Sequence, residues 1–292
     1  MAGMRLALGT VQFGMAYGIA GSGSVVPAAE ARRILRAAWY AGVRSLDTAA
    51  AYGNSETELA ALCDGLAFEV VSKVPAIPPD LRPADAVAFS IAAADRSRQR
   101  LGPLLRALMC HRAGDLLGER GVAVREALQR WADREGVAFG ASCYDPQTIL
   151  ALRDAGPIAI AQLPASALDQ RVPQALPTAL PGLDIHLRSV FLQGLLLMPY
   201  DAACARLPAA ASALQRWHAW VHAAGLEPLA AALAVARSFA AASTAVVGVE
   251  TCAQFDAIAD AWSCVRPLPA PQLADPDLSV IDPRCWRALA TA

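Results

Sequence analysis

The feature that most constrains this chain is an alternation. Eight short apolar runs recur along 292 residues, separated by stretches with helical periodicity. The runs are 5–9, 43–46, 69–72, 105–110, 137–142, 157–163, 184–189 and 244–247. The helix patterns lie at 28–41, 55–63, 84–101, 122–135, 146–154, 209–223, 228–241 and 251–262. Short buried strands joined by helices imply a parallel sheet with right-handed crossovers. Eight such units fit an α/β fold of the (β/α)8 TIM barrel type better than an open doubly wound sheet. The open sheet would carry G-x-G-x-x-G after its first strand, whereas Gly9 and Gly14 in LGTVQFG have a different spacing.

Length agrees with one domain over 1–292, since such barrels typically run to roughly 250 residues. The Pro-rich segment within 263–292 is expected to lie extended over the barrel. Hydrophobic residues make up 55% and charged residues 17%, which excludes a disordered chain. The net charge of −1 has its signs interspersed, and no basic patch points to nucleic acid as a partner. Apolar stretches such as 229–236 end at arginines well short of the ~18 residues of a membrane span. Residues 1–10 lack the pattern of a secretory signal. Seven cysteines without a C-x-x-C pair read as reduced thiols in a cytoplasmic protein. His218 and His222 have helical i,i+4 spacing but no third ligand, so no metal is expected. The expected assembly is a monomer or a weak homo-oligomer.

One count stands apart. Of 25 basic residues, only Lys73 is a lysine. In a chain that otherwise uses arginine, this position is a candidate for a role that a planar guanidinium fork cannot fill. Its place supports that reading. The second strand ends VRSLD at Asp47, the third ends EVVSK at Lys73, and the fourth ends LMCH at His111. Tyr52 follows Asp47 in the loop DTAAAYG. A barrel gathers the carboxyl ends of its strands around one mouth, so these four polar groups should converge.

The same residues resemble the aldo-keto reductase family. SLDTAAAYGNSE, VVSKVP and MCHRAGDLL look like its aspartate–tyrosine segment, lysine strand and histidine strand. LGTVQFG, GASCYDP, QLPASALDQR, RSVFLQGLL and VVGVETCAQF extend the likeness from about residue 6 to residue 262. The resemblance implies reversible reduction of an aldehyde or ketone with hydride from NADP(H) or NAD(H). Tyr52 would be the general acid, Lys73 would lower its pKa, Asp47 would hold Lys73, and His111 would orient the carbonyl. A free phenol titrates near pH 10. An ammonium about 4 Å away contributes roughly 4 kcal/mol at an effective dielectric of about 20, or about three pKa units toward phenolate. The expectation is a phenol poised between these limits.

For the cofactor, the resemblance implies Gly9 and Thr10 after the first strand, and Ser142 and Gln162 on the carboxamide. It also implies the loop Ser189, Phe191, Gln193 and Gly194 toward the pyrophosphate, either Phe191 or Arg188 against the nicotinamide, and Gly248, Val249, Glu250 and Gln254 after the last strand. The chain departs from the family in several places. Cys143 stands where asparagine often follows the serine, and Arg188 where many relatives stack an aromatic ring on nicotinamide. Ile258 replaces a common asparagine, and with the first strand near residue 5 the usual N-terminal hairpin plug is expected to be missing or replaced by other side chains. Glu250 occupies the region where NADPH users place a cation, and a carboxylate near a ribose hydroxyl favours NAD, with Arg188 the alternative cation for a 2′-phosphate; the expectation is relaxed or NAD-leaning specificity. Gln12, Phe13, Tyr17, Arg112 and Trp286 are expected to contact substrate, and polar Gln12 and Arg112 suit a hydroxylated or anionic carbonyl compound. Two other readings compete. One is a nicotinamide-nucleotide-binding regulatory relative without catalysis. The other is a Schiff-base aldolase, which would need Lys73 neutral.

Overall fold

The computed structural model describes residues 3–63 and 65–286. Eight parallel strands close a barrel in chain order: β1 (Arg5–Gly9), β2 (Ser45–Asp47), β3 (Glu69–Val74), β4 (Leu105–Cys110), β5 (Ala138–Ser142), β6 (Ile160–Pro164), β7 (Asp184–Arg188) and β8 (Thr244–Gly248). The expected (β/α)8 architecture is therefore the observed one. Among the described residues no strand precedes β1. Helices α1 (Val11–Gly14), α2 (Ala28–Tyr40), α3 (Ser55–Leu62), α4 (Pro83–Leu101), α5 (Gly118–Glu135), α6 (Pro146–Ala155) and α7 (Arg171–Ala175) serve the first six crossovers. After β7 come α8 (Tyr200–Arg206), α9 (Ala211–Ala223) and α10 (Pro228–Arg237), and after β8 come α11 (Cys252–Cys264), α12 (Leu278–Ile281) and α13 (Pro283–Trp286). Among the described residues no single helix is long and apolar enough to cross a membrane.

Local chemistry explains the boundaries that face the site. Asp145 caps α6 by accepting from the Gln147 N–H, with Pro146 pre-set at the first helical position. Thr251 caps α11 through Gln254 N–H, which ends the loop after β8 sharply. The amphipathic α2 buries Ala31, Ile34, Leu35 and Ala38 against the barrel wall, as its apolar stripe requires.

Register then decides which side chains face inward. Gly9 pairs with both Asp47 and Gly248, and Lys73 pairs with Met109. Alternation along each strand turns Val71, Ala107, Met109 and Ile160 into one cluster, separate from the main core between barrel and helices. Lys73 lies two residues beyond Val71, His111 two beyond Met109, and Gln162 two beyond Ile160. All three stand directly above this apolar plug, and the site is built on it.

The carboxyl-terminal segment departs from expectation. Residues 263 and 264 finish α11, and short helical turns at Pro271–Leu273, α12 and α13 interrupt the extended path. Asp277 caps α12, and prolines start two of the three turns. Residues 287–292 of that segment lie outside the described residues.

Candidate active site

The floor of the site is an ion pair. Lys73 is 1% exposed, and its ammonium donates to Asp47 Oδ1 at 2.7 Å, Asp47 Oδ2 at 2.8 Å and the Thr48 carbonyl at 2.9 Å. Three donors meet three acceptors, which is the geometry of a charged amine. Burial pulls the Lys73 pKa below its ordinary value, and the carboxylate of Asp47 works against that. Asp47 is further held by Gln162 Nε2 at 2.7 Å, and its backbone carbonyl accepts from Thr10 Oγ1 at 3.0 Å.

Tyr52 and His111 complete the quartet. The Lys73 ammonium lies 5.5 Å from the centre of the Tyr52 ring, and the Tyr52 and His111 rings meet edge to face at 5.8 Å. Burial raises the Tyr52 pKa, the Asp47 carboxylate adds to the rise, and Arg188 opposes it. This corrects the expectation of a poised phenol. Asp47 holds the Lys73 ammonium to itself, so desolvation, with the Asp47 carboxylate second, sets the direction at Tyr52. The His111 pKa is pushed down to about 4 by burial, with Lys73 and Arg188 adding to the effect. The imidazole is neutral at pH 7 and carries one N–H donor.

Above this floor runs a cleft of about 510 Å³, within the range of small-molecule and cofactor sites. Asp47 and Tyr52 line its inner part together with Arg188. Gly9, Thr10, Gln12 and Tyr17 line it from the β1 side. Ser189, Phe191, Gln193 and Gly194 line it after β7, and Gly248, Val249, Glu250 and Gln254 after β8. Lys73, His111, Ser142 and Gln162 are set behind this lining; Lys73, Ser142 and Gln162 are nearly fully buried.

The loop after β7 has unusual backbone geometry. Ser189, Leu192 and Gln193 adopt φ of 63°, 49° and 54°, followed by Gly194 at 90°. Left-handed conformations at non-glycine residues cost of order 1–3 kcal/mol each and concentrate at functional sites. Hydrogen bonds from Leu192 N–H to Ser189 and from Gly194 N–H to Phe191 lock the turns.

Sequence reasoning placed Gln12 and Tyr17 at the site but missed Gly18, Ala20 and Gly21 as part of the same wall. Tyr17, Gly18, Ala20 and Gly21 line the cleft while reaching both neighbouring loops. Gln193 Nε2 donates to the Tyr17 hydroxyl at 3.3 Å, and the Ser22 N–H donates to both Glu250 oxygens at 3.1 and 3.0 Å. A Cβ on Gly21 would fall 2.5 Å from the Tyr17 carbonyl and 2.8 Å from Glu250, so only glycine passes there. The glycine-rich run GIAGSGS was the available signal. Tyr144 was also missed: its ring lies between the guanidinium groups of Arg188 at 4.2 Å and Arg284 at 3.5 Å.

Three expected substrate contacts do not face the cleft. Phe13, 3% exposed, packs into the main core from α1. Arg112 is paired with Asp115 at 2.7 Å and bonded to the Ile77 carbonyl, tying the loop after β4 to the loop after β3. Trp286 is buried in the core at 7% exposure because α13 turns it inward. Among the described residues no group of three or more His, Cys, Asp or Glu side chains is placed to hold a metal ion.

A closed parallel barrel with an ionisable quartet under a long cleft defines a barrel protein with an enzyme-like mouth. Residues 5–113 match the aldo/keto reductase family model, which bears out the resemblance over the segment that supplies Asp47, Tyr52, Lys73 and His111. The fold is also that of solved aldo-keto reductases. One from Bacillus halodurans, in its holo form, superposes with a TM-score of 0.71 at 19% identity, covering 96% of this chain and 95% of that one. A Pseudomonas aeruginosa protein provisionally described as an aldo-keto reductase gives 0.63 at 21% identity, covering 90% of each chain. At these identities the likeness is one of fold. A search of curated proteins finds no sequence match.

Proposed function

We propose that this chain is an aldo-keto reductase that converts an aldehyde or ketone to an alcohol using NAD(P)H. The observation that carries this reading is the quartet itself: a protonated phenol and a neutral imidazole, edge to face, over a buried Lys73–Asp47 pair. Tyr52, protonated at pH 7, donates its proton to the oxygen that becomes the alcohol. His111 offers an N–H to the same oxygen and so orients the carbonyl. Lys73 and Asp47 fix the loop carrying Tyr52 through the Thr48 carbonyl. A charged Lys73 disfavours the Schiff-base reading.

The residues present fit a nicotinamide nucleotide. Gln162 Oε1 is buried without a partner and Gln12 Oε1 likewise, so both are acceptors for an amide N–H. At Gly248 a Cβ would come within 2.8 Å of the Gln12 amide, so glycine there lets that amide keep its place in the cleft wall. The left-handed loop from Ser189 to Gly194 would hold the pyrophosphate, and Glu250 and Gln254 the adenosine end. When bound, the group supplies the hydride. Replacing Tyr52 with Phe tests the reading: carbonyl-dependent NAD(P)H oxidation should fall at least a hundredfold while nucleotide binding persists. Wild-type rates in that variant would overturn the assignment of Tyr52. Nucleotide binding without turnover on any carbonyl in the wild type would favour a regulatory relative.

A further inference from the structure

Among the described residues, the reaction end of the cleft holds one charge with no counter-ion. Lys73 is closed on Asp47, Tyr52 is protonated, and His111 is neutral. The other arginines at this end are each satisfied by a carboxylate: Arg112 by Asp115, Arg171 by Asp169, and Arg284 by Asp282. Glu250, the remaining carboxylate lining the cleft, lies toward α11 and holds the Ser22 N–H. Arg188 forms no ion pair among the described residues, yet it lines the cleft beside Tyr52 and Asp47.

Its guanidinium is held in place. Nη2 donates to the Cys143 carbonyl at 3.2 Å, and the group lies against the Tyr144 ring at 4.2 Å. These contacts fix its orientation without neutralising it. A neutral ligand entering the cleft would strip water from this cation and return no counter-charge, whereas an anionic ligand returns one through charge-assisted hydrogen bonds.

We propose that the carbonyl compound reduced here carries an anionic oxygen group, a carboxylate or a phosphate, and that Arg188 selects it. This rests on the reductase reading for the chemistry, but not for the binding of the anion. The Arg112 guanidinium, which the sequence suggested for this task, is spent on Asp115.

The test compares para-formylbenzoate and para-formylphenyl phosphate with the neutral para-formylbenzamide. The wild type should reduce at least one anion with kcat/KM tenfold or more above the amide, a factor worth about 1.4 kcal/mol. Arg188→Gln should bring that ratio close to one, and Arg188→Lys should keep part of it. Taking a ratio at saturating nucleotide cancels any effect of the substitution on the cofactor. Calorimetric binding of para-formylbenzoate to both proteins separates the two ideas. Binding that Arg188→Gln weakens tenfold, with no turnover of any aldehyde, keeps the anion site and removes the reductase reading. Turnover without preference for either anion, or a preference unchanged in Arg188→Gln, overturns the assignment of Arg188.

Discussion

Replacing Asp47 with Asn tests the core of the site because it removes one charge and almost no volume. Lys73 is 1% exposed, and Asp47 supplies two of its three acceptors. Removing one partner of a buried pair typically costs about 3–5 kcal/mol, because the other charge stays buried alone. Lys73 can limit the loss by releasing its proton. From an unfolded pKa near 10.4, that release costs about 4.6 kcal/mol at pH 7, at 1.36 kcal/mol per unit. The expected destabilisation at pH 7 is therefore about 3–5 kcal/mol. The sign of its pH dependence follows from the direction of the Lys73 shift, which is downward and becomes larger without Asp47. A lysine with a depressed folded pKa takes up a proton on unfolding, so stability rises with pH until the unfolded pKa is reached. The gap between variant and wild type should narrow by up to about 1.4 kcal/mol per pH unit wherever Lys73 is neutral in the variant and charged in the wild type. Urea unfolding of both proteins at pH 7 and pH 9 measures this. A loss below about 1 kcal/mol at pH 7, or a large loss that does not change with pH, would refute the buried-pair argument.

Three further outcomes follow from the same geometry. Lys73→Arg should lower kcat/KM at least a hundredfold although it keeps the charge, because the enclosed site has no room for the larger fork; normal steady-state rates would remove the argument from the lone lysine. NADH should be preferred over NADPH, and Glu250→Gln, which keeps an acceptor for Ser22 N–H, should shift the ratio of KM values toward NADPH; a hundredfold wild-type preference for NADPH would contradict this. His111, with its pKa pushed down to about 4, should stay neutral from pH 5 upward, so the kcat/KM profile should lack a histidine limb near pH 6.5; such a limb, lost in His111→Gln, would show the imidazole to be far less buried.

The barrel was legible because period and punctuation act locally. Apolar runs of strand length, separated by amphipathic helices, can bury both sheet faces in few ways, and closure needs eight of them. Asp47, Lys73 and His111 were visible as polar residues ending apolar runs, with Tyr52 near by in the next loop. A parallel barrel delivers every strand end to one mouth, so chain position alone implied their convergence. Arg188 and Glu250 were legible as departures, but their charges could not be balanced without partners. Arg112 shows the limit: in the sequence it is an available cation, and in the fold it is neutralised by Asp115.

The sequence by itself determined the architecture and which residues could meet at the mouth. Tertiary structure decided the electrostatics. Lys73 was expected to act on Tyr52, and that depended on whether Asp47 sat on the ammonium or apart from it. Side-chain packing put both carboxylate oxygens within 2.8 Å of the ammonium and left burial to set the phenol. It also placed Gln162 on Asp47, folded GIAGSGS along the cleft, and left Arg188 without a carboxylate partner among the described residues. Such outcomes depend on distances of a few ångströms between residues far apart in the chain, over which Coulomb and desolvation energies change by several kcal/mol.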